Sequence, residues 1–236
     1  SYGVLRIVCE VPERDAPAPL GVVGVDLGVN TLLAATDGER AVLVNGRKAK
    51  AIVQYRNKAG ATLTSRIDRA KRGSKRRRRL VRAKYRMLDR SARQLKDILH
   101  KATRKIADAF PQHRVVVGKP FNDAAHKMGR KQAQQVSSAS NRVLIAMLAY
   151  KMFGAEEVPE PYSSQTCPGC GCRQRCRRVY KCRQCGLTAA RDVIGCTNIR
   201  RIAVPDTPVP KRIEWTRPLR KYPVAPQRAA GSSGGT

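Results

Sequence analysis

No stretch of this sequence approaches the ~18 to 20 apolar residues that a membrane-crossing helix requires. The opening SYGVLRIVCEVPE reads as a strand rather than a cleavable signal, so the chain is expected in the cytoplasm. Acidic residues are scarce as well: 17 Asp and Glu stand against 48 Lys and Arg in 236 residues, for a formal net charge of +31. A surface that only keeps a protein dispersed mixes both signs. An imbalance this large implies a polyanionic partner, with nucleic acid preferred to a membrane surface. Internal repeats are missing too.

Cysteine, by contrast, is concentrated. Of eight cysteines, six crowd between Cys167 and Cys185, in two CxxC pairs separated by a basic arm. In a chain without an export signal this spacing favours metal over disulfides. Cys167-Pro-Gly-Cys170 and Cys182-Arg-Gln-Cys185, each followed by Gly, form two knuckles able to hold zinc with four thiolates. Cys172 and Cys176 lack that turn and are placed outside the site, while Cys9 and Cys196 read as small buried residues.

Along the chain, GVVGVDLG, TLLAATDGE and AVLVNG, broken by Gly, Asn and Asp, predict a three-stranded antiparallel meander over residues 21–45. From about Gln54 to Phe110 the pattern is helical and densely basic, with a break near Gly73-Ser74. Leu80, Tyr85, Leu88, Leu95, Ile98, Leu99 and Ile106 recur at helical intervals there. The run KRGSKRRRRLVRAKYR is the densest cationic site. Its apolar stripe argues for a packed helix that tracks phosphates through Lys75, Arg76, Arg77, Arg78, Arg79, Arg82, Lys84 and Arg86. RVVVG at residues 114–118 predicts a buried strand, followed by a polar loop, a mostly buried helix from Asn141, and a short strand EEVPE. A last helix starts near Arg191, and the Pro-rich tail is expected to be disordered.

Two acids stand out. Asp26 ends an apolar strand between glycines, in GVDLGVN, where a sheet would open to a cleft; Asp192 opens the last helix. Taken alone, each has an ordinary explanation, as a turn aspartate or a charge that suits the helix macrodipole. Nucleases that use two divalent ions about 3.5 to 4 Å apart need several carboxylates converging from separate elements, so a third is required.

Taken in order, GVDLGVN, the basic helical insertion, VVVG, LAYKMFGA, EPYSSQTCPGCG, YKCRQCGL and RDVIGCTNI resemble the nuclease half of the transposon-encoded TnpB proteins, relatives of the Cas12 effectors. The resemblance covers about residues 21–203. It implies an α/β fold, an RNase H-like (RuvC) mixed sheet with a long basic helical insertion and an inserted zinc ribbon. It also implies a prokaryotic, nucleoid-associated RNA-guided DNA endonuclease. Its partners would be guide RNA and target DNA, and its cofactors structural zinc and catalytic magnesium or manganese.

The common family pattern has a glutamate where this chain has Gly118. A branch with the RD..GA.NI motif carries it instead just before the Tyr-Thr-Ser-Gln segment, and Glu160 stands two residues before Tyr162. The resemblance thus implies a metal-holding set of Asp26, Glu160 and Asp192. Glu156 and Glu157 compete for the middle place, Glu156 ahead because alternation sets it on the face of residue 160. The expected division is a wedge-like strand and linker at 1–20, a core at 21–166 with its insertion at 54–110, a zinc ribbon at 167–187, the last core helix at 188–203 and a tail at 204–236. Family members precede this region with segments that grip guide RNA and read a flanking DNA motif, so the sequence is expected to be a fragment, the product of a truncated gene, or one whose N-terminal half another chain supplies. A nuclease-dead nucleic-acid-binding protein or repressor is the alternative.

Overall fold

The computed structural model describes residues 18–119, 129, 133–135, 140–159 and 161–217. Strands β1 (Gly21–Leu27), β2 (Thr31–Thr36) and β3 (Arg40–Asn45) form the expected antiparallel meander. Strand β4 (His113–Lys119) runs parallel beside β1, and β5 (Ala155–Pro159) runs parallel beside β4. With β8 (Arg212–Thr216), they make one six-stranded mixed sheet in the order β5-β4-β1-β2-β3-β8. This is the α/β mixed sheet expected from the sequence. Most of the polar loop after β4 lies outside the described residues.

Strand alternation divides the core in two. On one face Val23, Val25, Val115 and Val117 pack under two helices, α2 (Lys75–Ala109) and α3 (Asn141–Lys151), which contribute Leu95, Ile98, Ile106, Leu144 and Leu148. Fully burying a Leu, Ile or Val side chain contributes about 1.5–3 kcal/mol, so this face supplies most of the drive for folding. On the other face lies α4 (Arg191–Ala203), whose Ile199 meets Val116 and Val158 while Val193 and Cys196 meet Ala34, Ala41 and Leu43. Small residues let α4 come close. A Cβ on Gly24 would run into the backbone of Cys196 and Arg200, so any side chain there would push the helix off β1.

The helical insertion begins earlier than Gln54: α1 spans Arg47–Asp68, its first backbone N–H donating to Asn45 Oδ1 at 2.9 Å. The break falls at Gly73-Ser74 as expected, because Ser74 caps α2 by accepting from the Arg77 N–H at 3.2 Å. Every buried side chain of α2 falls between Ser91 and Ile106. Residues 75–90 therefore form, with the later turns of α1, an arm that stands off the core for about 24 Å at ~1.5 Å per residue, while Ala49, Ile52 and Val53 keep the start of α1 packed on it.

The tail departs from expectation. Arg200 Nη1 donates to Thr207 Oγ1 at 2.6 Å and Arg201 Nε to the Thr207 carbonyl at 2.9 Å, which ties the chain to α4 and leads it to the open edge of β3. There β8 pairs in parallel from Arg40↔Arg212 to Val44↔Thr216. Residues 218–236 lie outside the described residues. The ribbon also runs further than 187, since its hairpin joins β6 (Val179–Lys181) to β7 (Thr188–Ala190) directly before α4.

Candidate functional site

Asp26 is the next-to-last residue of β1, one step past the Val25↔Val117 pair, and its carboxylate is directed at α4. A Cβ built on Gly195 would lie 2.6 Å from Asp26 Oδ2, so the absence of a side chain at 195 makes room for the acid. Asp192 lies one turn earlier on the same helix, and its Oδ2 accepts from Thr31 Oγ1 at 2.5 Å. The Cys196 thiol records both charges: burial pushes its pKa well up, and Asp26 and Asp192 push it further. Two acids 166 positions apart in sequence thus both lie at the first turns of α4, Asp26 against Gly195 and Asp192 bonded to Thr31 from the start of β2.

Gly118 is buried on β4 and pairs with Val158 of β5, beside the strand that carries Asp26. It brings no carboxylate. Glu156 is committed elsewhere, its Oε2 pairing with Arg114 Nη1 at 3.1 Å on an exposed surface, and Glu157 is exposed. Glu160 lies outside the described residues.

The four cysteines do converge. The Sγ atoms of Cys167, Cys170, Cys182 and Cys185 all lie within 4.8 Å of one another, with Cys167–Cys185 and Cys170–Cys182 each at 3.5 Å. Soft thiolates at tetrahedral spacing suit zinc. Gly171 and Gly186, each at φ +74°, close the two knuckles in a left-handed turn that a side chain would strain. The backbone N–H of Cys185, helped by that of Gln184, holds the Cys182 thiol down to about 6, a predisposition to the thiolate that a metal needs. At Cys170 the backbone N–H of Cys172 pulls the same way, but desolvation and the neighbouring thiols raise it to about 12. Among the described residues these four form the one convergent group of three or more His, Cys, Asp or Glu side chains. Cys172 and Cys176 stay outside it, Cys176 Sγ donating to the Ser164 carbonyl at 3.3 Å.

Helix α4 joins the two centres. Asn198 Nδ2 donates to the carbonyls of Ser163 (2.6 Å) and Thr166 (2.8 Å), Arg201 Nη1 to that of Pro168 (2.5 Å), and Ile194 packs with Cys167, Tyr180 and Cys182. Nothing in their local sequence marks Thr31, Gly195 or Asn198 as part of a site. The signal for the last two was their place on the helix that opens with Asp192, at one and two turns' remove.

On the arm, Lys75, Arg76, Arg78, Arg79, Arg82 and Arg86 are exposed. Arg77 and Lys84 serve the arm itself. Arg77 Nη1 donates to the carbonyls of Ile67 (3.0 Å) and Ala70 (3.4 Å) at the end of α1, and Lys84 Nζ to Thr64 Oγ1 at 2.8 Å.

Comparison with known proteins bears on both halves of the chain. Residues 6–122 match the family model of the IS605 OrfB probable transposase, and residues 142–199 that of the Cas12f1-like TNB domain. A cryo-EM structure of a Cas12f1–sgRNA–target DNA complex is similar with a TM-score of 0.52 and 16% identity, covering 79% of this chain and 51% of that one. A CRISPR-Cas12f ternary complex is similar with a TM-score of 0.56 and 18% identity, covering 81% of this chain and 40% of that one. This chain therefore spans about half the length of the first and two fifths of the second. At these identities the likeness to the solved structures is one of fold. No protein of curated function matches.

Proposed function

The chain belongs to the TnpB/Cas12-like proteins, and from that premise we propose that it is the core of an RNA-guided DNA endonuclease. The observation that carries the proposal is the placing of Asp26 and Asp192 at the first turns of α4, hard oxygen donors at one end of a sheet in a chain that also carries a strongly cationic arm. Such donors fit magnesium or manganese, which when bound would neutralise phosphate oxygens and activate water. Thr31 keeps one oxygen of Asp192 turned inward, and Gly195 leaves the space into which Asp26 reaches. The third carboxylate is assigned to Glu160. Support comes from the resemblance, which sets a glutamate just before the Tyr162 segment, and from the described neighbours: Gly118 brings no acid and Glu156 is paired with Arg114. Zinc in the cysteine cluster is proposed as structural. The arm's arginines are proposed to hold phosphates of guide RNA and target DNA, the partners present in the Cas12f1 complex.

Gly118 favours a second reading, a relative that binds nucleic acid without cutting, because the strand beside Asp26 offers no acid at that position. One comparison separates the two. In guide-loaded protein, Glu160→Gln should abolish magnesium-dependent cutting and leave target binding nearly intact, since the group serves the transition state. Glu156→Gln, which breaks only an exposed ion pair, should cut normally. Wild-type protein that binds its target and never cuts it would establish the second reading.

A further inference from the structure

A cavity of about 510 Å³ opens at the same end of the sheet as the two aspartates, on the opposite face. Gly28, two residues past Asp26, forms part of its wall. Its floor is aliphatic, made by the buried Leu32, Leu95 and Leu99 with the half-buried Val53. Carboxamides surround that floor: Gln54 and Asn57 from α1, Asn141 from the start of α3, and Gln134 and Gln135. Lys50 and Lys58 complete the polar part, and among the described residues no Asp or Glu lines the cavity. The space is within the ~300–1,000 Å³ of small-ligand sites.

We propose that this cavity receives an unpaired nucleobase of a single strand bound beside the carboxylates. Three features select that occupant. An apolar floor packs against the flat face of a base, as in pockets that accept extruded nucleotides. Carboxamides carry both donors and acceptors and so match base edges, which mix the two. The lysines, with no acid among the described lining residues, suit a ligand that brings phosphate, and a net charge of +31 disfavours cationic occupants. The inference rests on the nucleic-acid side of the proposed function and not on cleavage.

The test uses the whole chain in buffer without added divalent ion, so that no strand is cut and a failure here is distinct from a failure of the nuclease assignment. The probe is a single-stranded pentanucleotide with 2-aminopurine at its centre, made once as DNA and once as RNA to identify which strand is the source. Binding should change the base's emission in a saturable way. Ala61→Leu, which fills the cavity from an exposed wall position, and Asn57→Leu, which removes an amide without changing size greatly, should each weaken that response about tenfold. Binding of a 30-residue oligothymidylate should stay within about twofold, because phosphate contacts on the arm are untouched. An emission unchanged at saturation of the wild-type protein, or both variants responding as wild type does, would overturn the proposal.

Discussion

The Asp26 carboxylate occupies the space that a side chain at Gly195 would fill, with Oδ2 2.6 Å from the position of the missing Cβ. Gly195→Ala should therefore displace the acid while the helix keeps its place, since the clashing atom is the tip of a side chain that can swing away. Cleavage should fall about a hundredfold, the scale for misplacing a reacting group by ~1 Å. The melting temperature should hold or rise, because Ala is favoured over Gly inside a helix by ~1 kcal/mol. A cleavage assay paired with a thermal melt checks both.

Purified protein should carry about one zinc, and Cys182→Ser should release it and loosen the ribbon. Acid should do the same. In the metal-free fold the Cys182 thiol is held below its ordinary 9.0, so its thiolate contributes fully above that value and the contribution is lost as pH falls through about 6. Metal analysis after dialysis across that range should show retention declining in that direction.

Replacing Arg76, Arg78, Arg79 and Arg82 with Gln should weaken binding to every sequence alike. The salt dependence should flatten by ~0.7 to 0.9 log units for each phosphate no longer neutralised. Titrations at several salt concentrations on two unrelated sequences decide it, and weakening confined to one sequence would contradict a phosphate role.

Arg77→Ala should behave differently from its neighbours. It removes the donor that satisfies the Ile67 and Ala70 carbonyls at the end of α1, and should cost about 1–2 kcal/mol of stability. The salt slope of nucleic-acid binding should stay as it is. A melt and a salt titration on the same sample separate the two roles.

What could be read in advance was local. The cysteine knuckles are legible because their ligands sit three residues apart, and the turn between α1 and α2 because Ser74 carries its own capping chemistry. The sheet strands announce themselves through β-branched runs such as Val115, Val116 and Val117. Contacts decided by distant partners are not legible this way. Nothing near Arg212–Thr216 signals a strand, since what orders it is the unpaired edge of β3 and the tether of Thr207 to Arg200 and Arg201. Arg77 and Arg78 are indistinguishable in a basic run, yet helical phase points one inward to α1 and leaves the other exposed. Thr31 finds Asp192 across 161 positions, a pairing no window along the chain contains.

Helix α4 is anchored at both centres at once. Its first turn carries Asp192 and presses Ile194 into the cysteine cluster, and further along Asn198 and Arg201 hold the turn and knuckle of the ribbon. A rigid strut fixed in this manner transmits displacement rather than absorbing it. Tugging or twisting the ribbon should therefore reach Asp192, which shares a turn with Ile194, so that the ribbon would be the handle and the acidic turn the jaw.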